Sequence, residues 1–185
     1  MRLAACQLPR PRRILDVGCG TGTLLRQAAQ RFPEADLVGV DVAAAMVKTA
    51  DAATPAGLPI RFVHARAERL PFADGVFDLA LSTMSFRHWS DQSTGLAQIS
   101  RVLTPGGVFV LAEVFAAPPR RTVVFLTWRH RDRVELPGDV KAMLDTHCLS
   151  VIGCQHLHGF GPISQVVVVV ARTPSRAGEG ARDQR

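Results

Sequence analysis

The chain has 185 residues, of which 47% are hydrophobic and 21% charged, and its formal net charge is +6 at pH 7. This length suits one globular domain with a sizeable core, and no apolar run approaches the roughly 20 residues that a membrane-spanning helix needs. The N-terminal residues also lack an apolar stretch of signal-peptide length, so we expect a cytoplasmic protein without a membrane partner.

The positive charge is concentrated at the two ends of the chain. Residues 1–13 carry four arginines and no acids, and residues 172–185 carry four arginines against two acids. The remaining residues, 14–171, therefore have no net charge. Solvated terminal arginines are the simplest interpretation of this pattern, so nucleic acid is not the expected partner.

The cysteines give no sign of a disulfide framework or a metal centre. Cys6, Cys19, Cys148 and Cys154 contain no CxxC pair, so free thiols in a reducing compartment are the simplest interpretation. Histidines and cysteines do cluster between residues 147 and 158. Their spacing matches no common zinc pattern, and we predict that the protein binds no metal.

Short apolar runs alternate with helix-forming segments along the chain. Strands are predicted at 13–17, 36–41, 60–64, 76–82, 108–113, 150–157 and 163–172, and helices at 22–31, 43–53, 91–102 and 139–147. This alternation predicts an α/β fold, a doubly wound, seven-stranded and mostly parallel sheet of Rossmann-like type. The connection at 159–162 is short, which favours an antiparallel final strand.

These elements divide the chain into three parts. Residues 1–12 are predicted to form a basic N-terminal arm, and residues 13–173 the single folded domain. Residues 174–185 are rich in Arg and Gly and are predicted to be a disordered tail.

Three glycines at alternate positions, Gly18, Gly20 and Gly22, join the first strand to the first helix. A sharp strand-to-helix turn needs backbone freedom, and a ligand lying against the turn needs the absence of side chains. The dinucleotide fingerprint does not fit, because the sixth positions are Thr23 and Leu25, and no Gly-Lys-Ser/Thr follows for a phosphate loop. The unpaired N–H groups at the helix start nevertheless predict a ligand site.

Two acids flank this glycine turn in the predicted fold. Asp16 leads into it, and Asp41 ends the second strand, which lies beside the first strand in a doubly wound sheet. A carboxylate at that tip can accept hydrogen bonds from both ribose hydroxyls. The two acids and the glycines therefore describe a site for a nucleoside with a cationic or zwitterionic tail rather than a pyrophosphate.

Four motifs in order resemble those of the class I S-adenosylmethionine-dependent methyltransferases, of the small-molecule type grouped as methyltransferase type 11. They are ILDVGCGTG, GVDVAAAM, ERLPFADGVFDLALS and ISRVLTPGGVFVLAE, and the resemblance covers about residues 13–172. It implies S-adenosyl-L-methionine as the cofactor. The implied cofactor-binding residues are Asp16 at the methionine amino group, the Gly18–Cys19–Gly20 backbone with Gly22, Asp41 at the ribose, Val42 and Met46 under the adenine and ribose, the Ala67 backbone at the ring edge, and Ser82 beside the methyl group.

Position 66 departs from the family pattern. Relatives usually carry an aspartate before the residue that is Ala67 here, and that aspartate accepts a hydrogen bond from the adenine amino group. Arg66 can only donate, so its predicted contact with the cofactor is stacking on the purine ring. The lost hydrogen bond lowers the cofactor's binding free energy by roughly 1.5–3 kcal/mol, unless Glu68 substitutes for the missing acid.

The segment after the fourth predicted strand should face the methyl acceptor. Many relatives have His-His-Trp where this chain has Arg-His-Trp at 87–89. His88 is the candidate general base, because an ordinary histidine exchanges protons near neutral pH, and the alternative is a structural role in holding the loop. Nucleic-acid amino methyltransferases carry Asn/Asp-Pro-Pro-Tyr/Phe here, whereas this chain has Ser-Thr-Met-Ser at 82–85 and no tyrosine, so a small-molecule acceptor is expected.

The predicted activity is in-line methyl transfer to an oxygen, nitrogen or carbon nucleophile of that small molecule. Two alternatives stay open: a catalytically impaired cofactor-binding protein, favoured by Arg66 and Arg87, and an RNA methyltransferase that uses the basic termini. Relatives usually have tens of residues before the first strand, which cover the substrate, and here there are about twelve. The pocket is then open, covered by residues 115–135 or completed by a second subunit, so a homodimer is one of the expected states.

Overall fold

The computed structural model describes residues 10–114, 138–158 and 165–175. The strands within these ranges are β1 (Arg13–Val17), β2 (Asp36–Asp41), β3 (Ile60–His64), β4 (Phe77–Thr83), β5 (Leu103–Val114), β6 (Ser150–His158) and β7 (Gln165–Arg172). The α-helices are α1 (Thr23–Arg31), α2 (Ala44–Ala52), α3 (Gln92–Val102) and α4 (Gly138–Thr146), and Phe86–His88 forms a single 3-10 turn.

The strands form one seven-stranded sheet in the order β3-β2-β1-β4-β5-β7-β6. The first five strands pair in parallel, whereas β7 runs antiparallel to both β5 and β6. The predicted doubly wound, mostly parallel sheet with an antiparallel final strand is therefore confirmed. The strand order reverses between β1 and β4, which creates a crevice at the carboxyl ends of these two strands.

The core lies on both faces of this sheet. Ile14 and Leu15 are fully buried neighbours in β1, and because successive strand residues point to opposite faces they belong to different core clusters. Ile14 packs in the cluster that includes Leu25 of α1, and Leu15 in the cluster that includes Leu96 of α3. Each such buried side chain stabilises the fold by about 1.5–3 kcal/mol, so β1 holds its carboxyl end rigidly in the middle of the sheet.

Two features of the fold differ from the sequence prediction. β5 begins at Leu103, whereas the sequence predicted this strand at 108–113, and it contains an irregularity over residues 104–107. Its register with β4 shifts between Phe77 and Leu79, because the extra residues loop out of the ladder. The 3-10 turn at Phe86–His88 was not predicted, since three residues carry no hydrophobic period. The remaining boundaries agree to within one or two residues.

Several sequence-based expectations lie outside the described residues. They concern the N-terminal arm over residues 1–9, the possible cover at 115–135, the connection at 159–162 and the tail over 176–185. In the part of the chain that the structure does describe, no helix has the length and apolar character needed to cross a membrane.

Candidate functional site

A cavity of about 540 Å³ opens at the carboxyl ends of β1, β2 and β4. Its walls come from the glycine turn, the end of β2, the segment after β3 and the segment between β4 and α3. The lining residues are Asp16–Thr21, Thr23, Leu24, Val40–Val42, Ala65–Glu68, Thr83–Ser85 and His88–Ser90. The cavity therefore occupies the crevice where doubly wound sheets bind their ligands.

The glycine turn is packed tightly on one side and open on the other. A Cβ at Gly18, whose φ is +78°, would lie 2.2 Å from the Cβ of Ser85. Ser85 is fixed there, because its hydroxyl donates to the carbonyl of Val17 at 2.7 Å and pairs with the hydroxyl of Ser82 at 2.8 Å. A Cβ at Gly20 would meet no atom of the described residues within 4 Å, so this glycine faces the space that a ligand can fill.

Asp41 connects the glycine turn to the beginning of α2. One carboxylate oxygen accepts from the backbone N–H of Gly20 at 2.9 Å, and the other accepts from the N–H of Ala43 at 2.8 Å. Each oxygen keeps a further lone pair, because a carboxylate has about four acceptor sites. Asp41 can therefore hold the turn and still accept from ligand hydroxyls.

Asp16 is a buried acid at the floor of the cavity. Its exposure is 2%, and burial, followed by the charge of Asp41, raises its pKa to about 7. Among the described residues, nothing forms a hydrogen bond with its buried Oδ1 atom. A buried carboxyl oxygen without a partner is costly, so this position is suited to a cationic ligand group.

Cys19 contributes its backbone to the turn rather than a reactive thiol. Its N–H donates to the carbonyl of Val40 at 3.0 Å, and its side chain is 8% exposed. Burial, followed by the nearby charges of Asp16 and Asp41, raises the pKa of the Cys19 thiol to about 12. The thiol is therefore protonated at neutral pH and is a poor nucleophile.

Arg66 and Glu68 bridge two segments at the rim of the cavity. The guanidinium of Arg66 donates to the hydroxyl of Ser90 at 2.5 Å and lies 3.5 Å from the carboxylate of Glu68. Burial alone would raise the pKa of Glu68, but backbone N–H groups, among them that of Asp91, lower it overall together with Arg66. Since the carboxylate of Glu68 already accepts from these neighbours, it is poorly placed to substitute for the missing adenine acceptor.

One wall of the cavity is formed by the segment after β4. Met84 has a φ of +56°, a left-handed conformation that is uncommon for a residue with a side chain, and its N–H donates to Ala112 at 2.8 Å. His88 lies in the 3-10 turn that follows, and its ring accepts from Arg87 at 3.2 Å. Arg87 in turn contacts the buried Glu113 at the end of β5.

The structure brings most of the predicted site residues together. Those that line the cavity are Asp16, Gly18, Cys19, Gly20, Asp41, Val42, Arg66, Ala67 and His88. Gly22, Met46 and Ser82 are described but lie outside the lining. Gly22 packs under Phe62, Met46 is 39% exposed on α2, and Ser82 is fully buried beneath Ser85. Sequence reasoning gave no role to Met84, Ser85 or Glu113.

Sequence comparison assigns this fold and cavity to a family. The family model described as "Methyltransferase domain" matches residues 14–107, half of the chain, from β1 to the irregularity in β5. The chain belongs to the methyltransferase domain family. The predicted class, a class I S-adenosylmethionine-dependent methyltransferase, is thereby confirmed.

Known relatives share this methyltransferase domain and extend beyond it. Demethylmenaquinone methyltransferase of Thermus thermophilus is 42% identical over 111 residues, which are 60% of this chain and 50% of the relative. The chain thus spans about half the length of the curated relatives it matches.

Two solved structures show the same fold at low identity. The 4+2 cyclase SpnF has a TM-score of 0.75 and 24% identity, covering 94% of this chain and 80% of that one. The 1,6-didemethyltoxoflavin N1-methyltransferase of Burkholderia thailandensis, solved with S-adenosylhomocysteine, has a TM-score of 0.70 and 21% identity, covering 94% and 76%. At such identities the likeness concerns the fold.

Proposed function

We propose that the protein transfers a methyl group from S-adenosyl-L-methionine to a small-molecule acceptor by in-line displacement. The observation that carries this proposal is the buried Oδ1 of Asp16, which has no hydrogen-bond partner among the described residues and lies at the floor of the cavity, across the glycine turn from Asp41. An adenosyl amino acid carries an ammonium group at one end and a ribose further along. Asp16 suits the ammonium group, and Asp41 suits the ribose.

The residues present fit that cofactor. Asp16 would hold the α-ammonium group, and the open face of Gly20 leaves room for the chain that joins it to the ribose. Asp41 would accept from the ribose hydroxyls, and Val42, which is 58% exposed, offers an apolar surface beside them. Ala67, in the cavity wall, would place its backbone at the edge of the purine ring.

The bound sulfonium supplies an activated methyl group, so the protein contributes alignment and the exclusion of water. Met84 and Ser85 form the cavity wall after β4, and Ser85 is fixed by two hydrogen bonds. Such a fixed wall keeps an acceptor aligned with the methyl–sulfur bond. His88 stands at the same wall, where it can contact the acceptor, and its role as general base stays a prediction.

A small molecule is the acceptor class that we favour over nucleic acid. The matched relative from Thermus is named for demethylmenaquinone, and the toxoflavin enzyme was solved with 1,6-didemethyltoxoflavin. The RNA alternative depends on the eight arginines at the termini, four of which lie outside the described residues. Location in the cytoplasm and assembly as a homodimer stay predictions.

Replacement of Asp41 by Asn tests the proposed function. An amide can accept from only one of the two backbone N–H groups that Asp41 now serves, and it loses the charge-assisted bonds to the ribose. We expect the affinity for S-adenosylmethionine and S-adenosylhomocysteine to fall by about 10- to 100-fold in calorimetry. Asp51→Asn, which removes an exposed acid from α2, is the matched control and should bind normally. Equal affinity of the two variants would refute the proposed site.

Replacement of Arg66 by Asp tests adenine recognition. This change restores the acid that relatives usually carry, and the lost contacts to Ser90 and Glu68 at the exposed rim are worth at most about 1 kcal/mol. We expect Arg66→Asp to bind S-adenosylmethionine about tenfold more tightly and Arg66→Ala to bind within about threefold of the wild type. Weaker binding by both variants would show instead that Arg66 stacks on the purine ring.

A further inference from the structure

The hydrogen bond between Arg87 and His88 determines which ring nitrogen of His88 carries the proton. Arg87 Nε lies 3.2 Å from His88 Nε2. A guanidinium has donors and no acceptor, so Nε2 must be the nitrogen with the free lone pair. The neutral imidazole then carries its proton on Nδ1, and His88 presents a donor rather than an acceptor through that atom.

Arg87 is itself anchored to the sheet by Glu113. This glutamate is 1% exposed at the end of β5, and its Oε2 accepts from the backbone N–H of Arg87 at 3.3 Å. Its Oε1 lies 3.9 Å from Nη1 of Arg87 and accepts from the N–H of Val114 at 3.0 Å. A buried carboxylate needs such partners, so the half-exposed arginine has a fixed place next to β5.

We propose that Glu113 and Arg87 are positioning residues that hold His88 as an Nδ1–H hydrogen-bond donor, and that the methyl acceptor is therefore a carboxylate or an enolate. The second part rests on the proposed methyl transfer. For His88 to take a proton at Nε2, the hydrogen bond that this nitrogen accepts from Arg87 would have to break. An acceptor that is already anionic needs no such base.

The transfer step balances without a proton. A lone pair of the carboxylate or enolate forms the new bond to the methyl carbon, while the methyl–sulfur bond breaks and its electron pair stays on sulfur. The anion and the sulfonium thus become a neutral methylated product and a neutral thioether. During this step the Nδ1–H of His88 orients the acceptor oxygen through a charge-assisted hydrogen bond.

The wall next to His88 suits an apolar body that carries this anionic group. Met84 lines the cavity with its side chain 38% exposed, in a left-handed conformation held by its N–H bond to Ala112. Trp89 lines the same wall and packs edge-on against Phe86 at 5.1 Å. An alkyl or aryl carboxylate and a cyclic 1,3-diketone combine both properties.

The tautomer of His88 can be measured without cofactor or acceptor, by nitrogen NMR of the protein labelled at its histidines. The His88 signals are assigned by their loss in His88→Gln. We expect Nδ1 protonated and Nε2 unprotonated in the wild type, a shift toward the Nε2–H form in Arg87→Gln, and the wild-type pattern in Arg87→Lys. Arg31→Gln, on α1, is the matched control and should leave the signals unchanged. A proton on Nε2 in the wild type would overturn the proposal, and this result does not depend on whether the cofactor binds.

The acceptor class is tested by comparing two sets of compounds as methyl acceptors. The anionic probes are alkyl-substituted benzoates and cyclic 1,3-diketones, and the comparison compounds are 1-naphthol and alkylamines. Turnover is measured as the formation of S-adenosylhomocysteine at saturating S-adenosylmethionine. We expect turnover of the anionic probes, with a rise in KM of at least tenfold in Arg87→Gln and unchanged cofactor affinity. Preferred methylation of 1-naphthol, rising with pH and lost in His88→Gln, would make His88 a base and overturn the proposal. Absence of cofactor binding to the wild type would instead refute the proposed function and leave the tautomer result intact.

Discussion

The affinity for S-adenosylmethionine is expected to fall about tenfold for each pH unit below pH 7. The cause is Asp16, whose pKa is raised to about 7 by burial and by the charge of Asp41. Below that pH the ligand-free carboxyl is protonated, whereas the α-ammonium group of the cofactor favours the carboxylate. Binding must then release a proton, and the dissociation constant at pH 5 is about 100-fold higher than at pH 8.

Calorimetry in buffers of different protonation enthalpy measures this proton directly. We expect close to one proton released per bound cofactor at pH 6 and about half a proton at pH 7. Asp16→Asn should bind weakly and without this pH dependence. Asp41→Asn should move the midpoint of the pH dependence of binding below pH 7, because this change removes the charge of Asp41, the second cause of the raised pKa of Asp16. A wild-type affinity that does not change between pH 5.5 and 8 would show that Asp16 does not contact the ammonium group.

The ligand-free protein should show the opposite trend in its free energy of unfolding. The folded-state pKa of Asp16, about 7, lies above the ordinary aspartate pKa of 3.8, so the folded state binds more protons than the unfolded state between these pH values. The contribution of Asp16 is therefore fully present below pH 4 and is lost as the pH rises to 7, by up to about 4 kcal/mol. Denaturant titrations of the wild type and Asp16→Asn isolate this contribution from that of other carboxyl groups.

Much of the cavity around the glycine turn could be predicted from the sequence because its residues are close together in the chain or lie on neighbouring strands. Alternate glycines after a strand, with Asp16 before them and Asp41 at the next strand tip, follow from turn chemistry and from the neighbourhood of β1 and β2. The cavity wall after β4 depends on contacts between residues that are distant in the chain. Ser85 bonds to Val17, 68 positions away, and Arg87 to Glu113, 26 positions away, and neither pairing has a sequence pattern.

The positive φ of Met84 was also beyond sequence reasoning. Glycine and asparagine are the residues that indicate a left-handed position, and a methionine does not. The strain is compensated by the N–H bond to Ala112, a contact with the neighbouring strand β5 that only the folded sheet supplies. Glycine-based rules therefore located the turn after β1 and missed the left-handed residue after β4.

Replacement of Gly18 by Ala is expected to lower the free energy of unfolding by about 3–5 kcal/mol and to abolish cofactor binding. The left-handed φ of +78° alone costs an alanine about 1–2 kcal/mol. The new Cβ would also lie 2.2 Å from the Cβ and 2.4 Å from the Oγ of Ser85, so Ser85 must move. Its bonds to Val17 and Ser82 then break, and each buried polar group left without a partner costs about 1–3 kcal/mol.

Gly20→Ala is the matched control for this substitution, because it has the same sign of φ without the collision. Its φ is +52°, and a Cβ there would meet no atom of the described residues within 4 Å. Only the conformational cost of about 1–2 kcal/mol should remain, although the added methyl group would still enter the cofactor's space. Guanidinium titrations of both variants and the wild type measure the difference. If both variants lost the same free energy of unfolding, the contact with Ser85 would not be what requires glycine at position 18. The position of Ser85 in the cavity wall would then have to depend on other contacts.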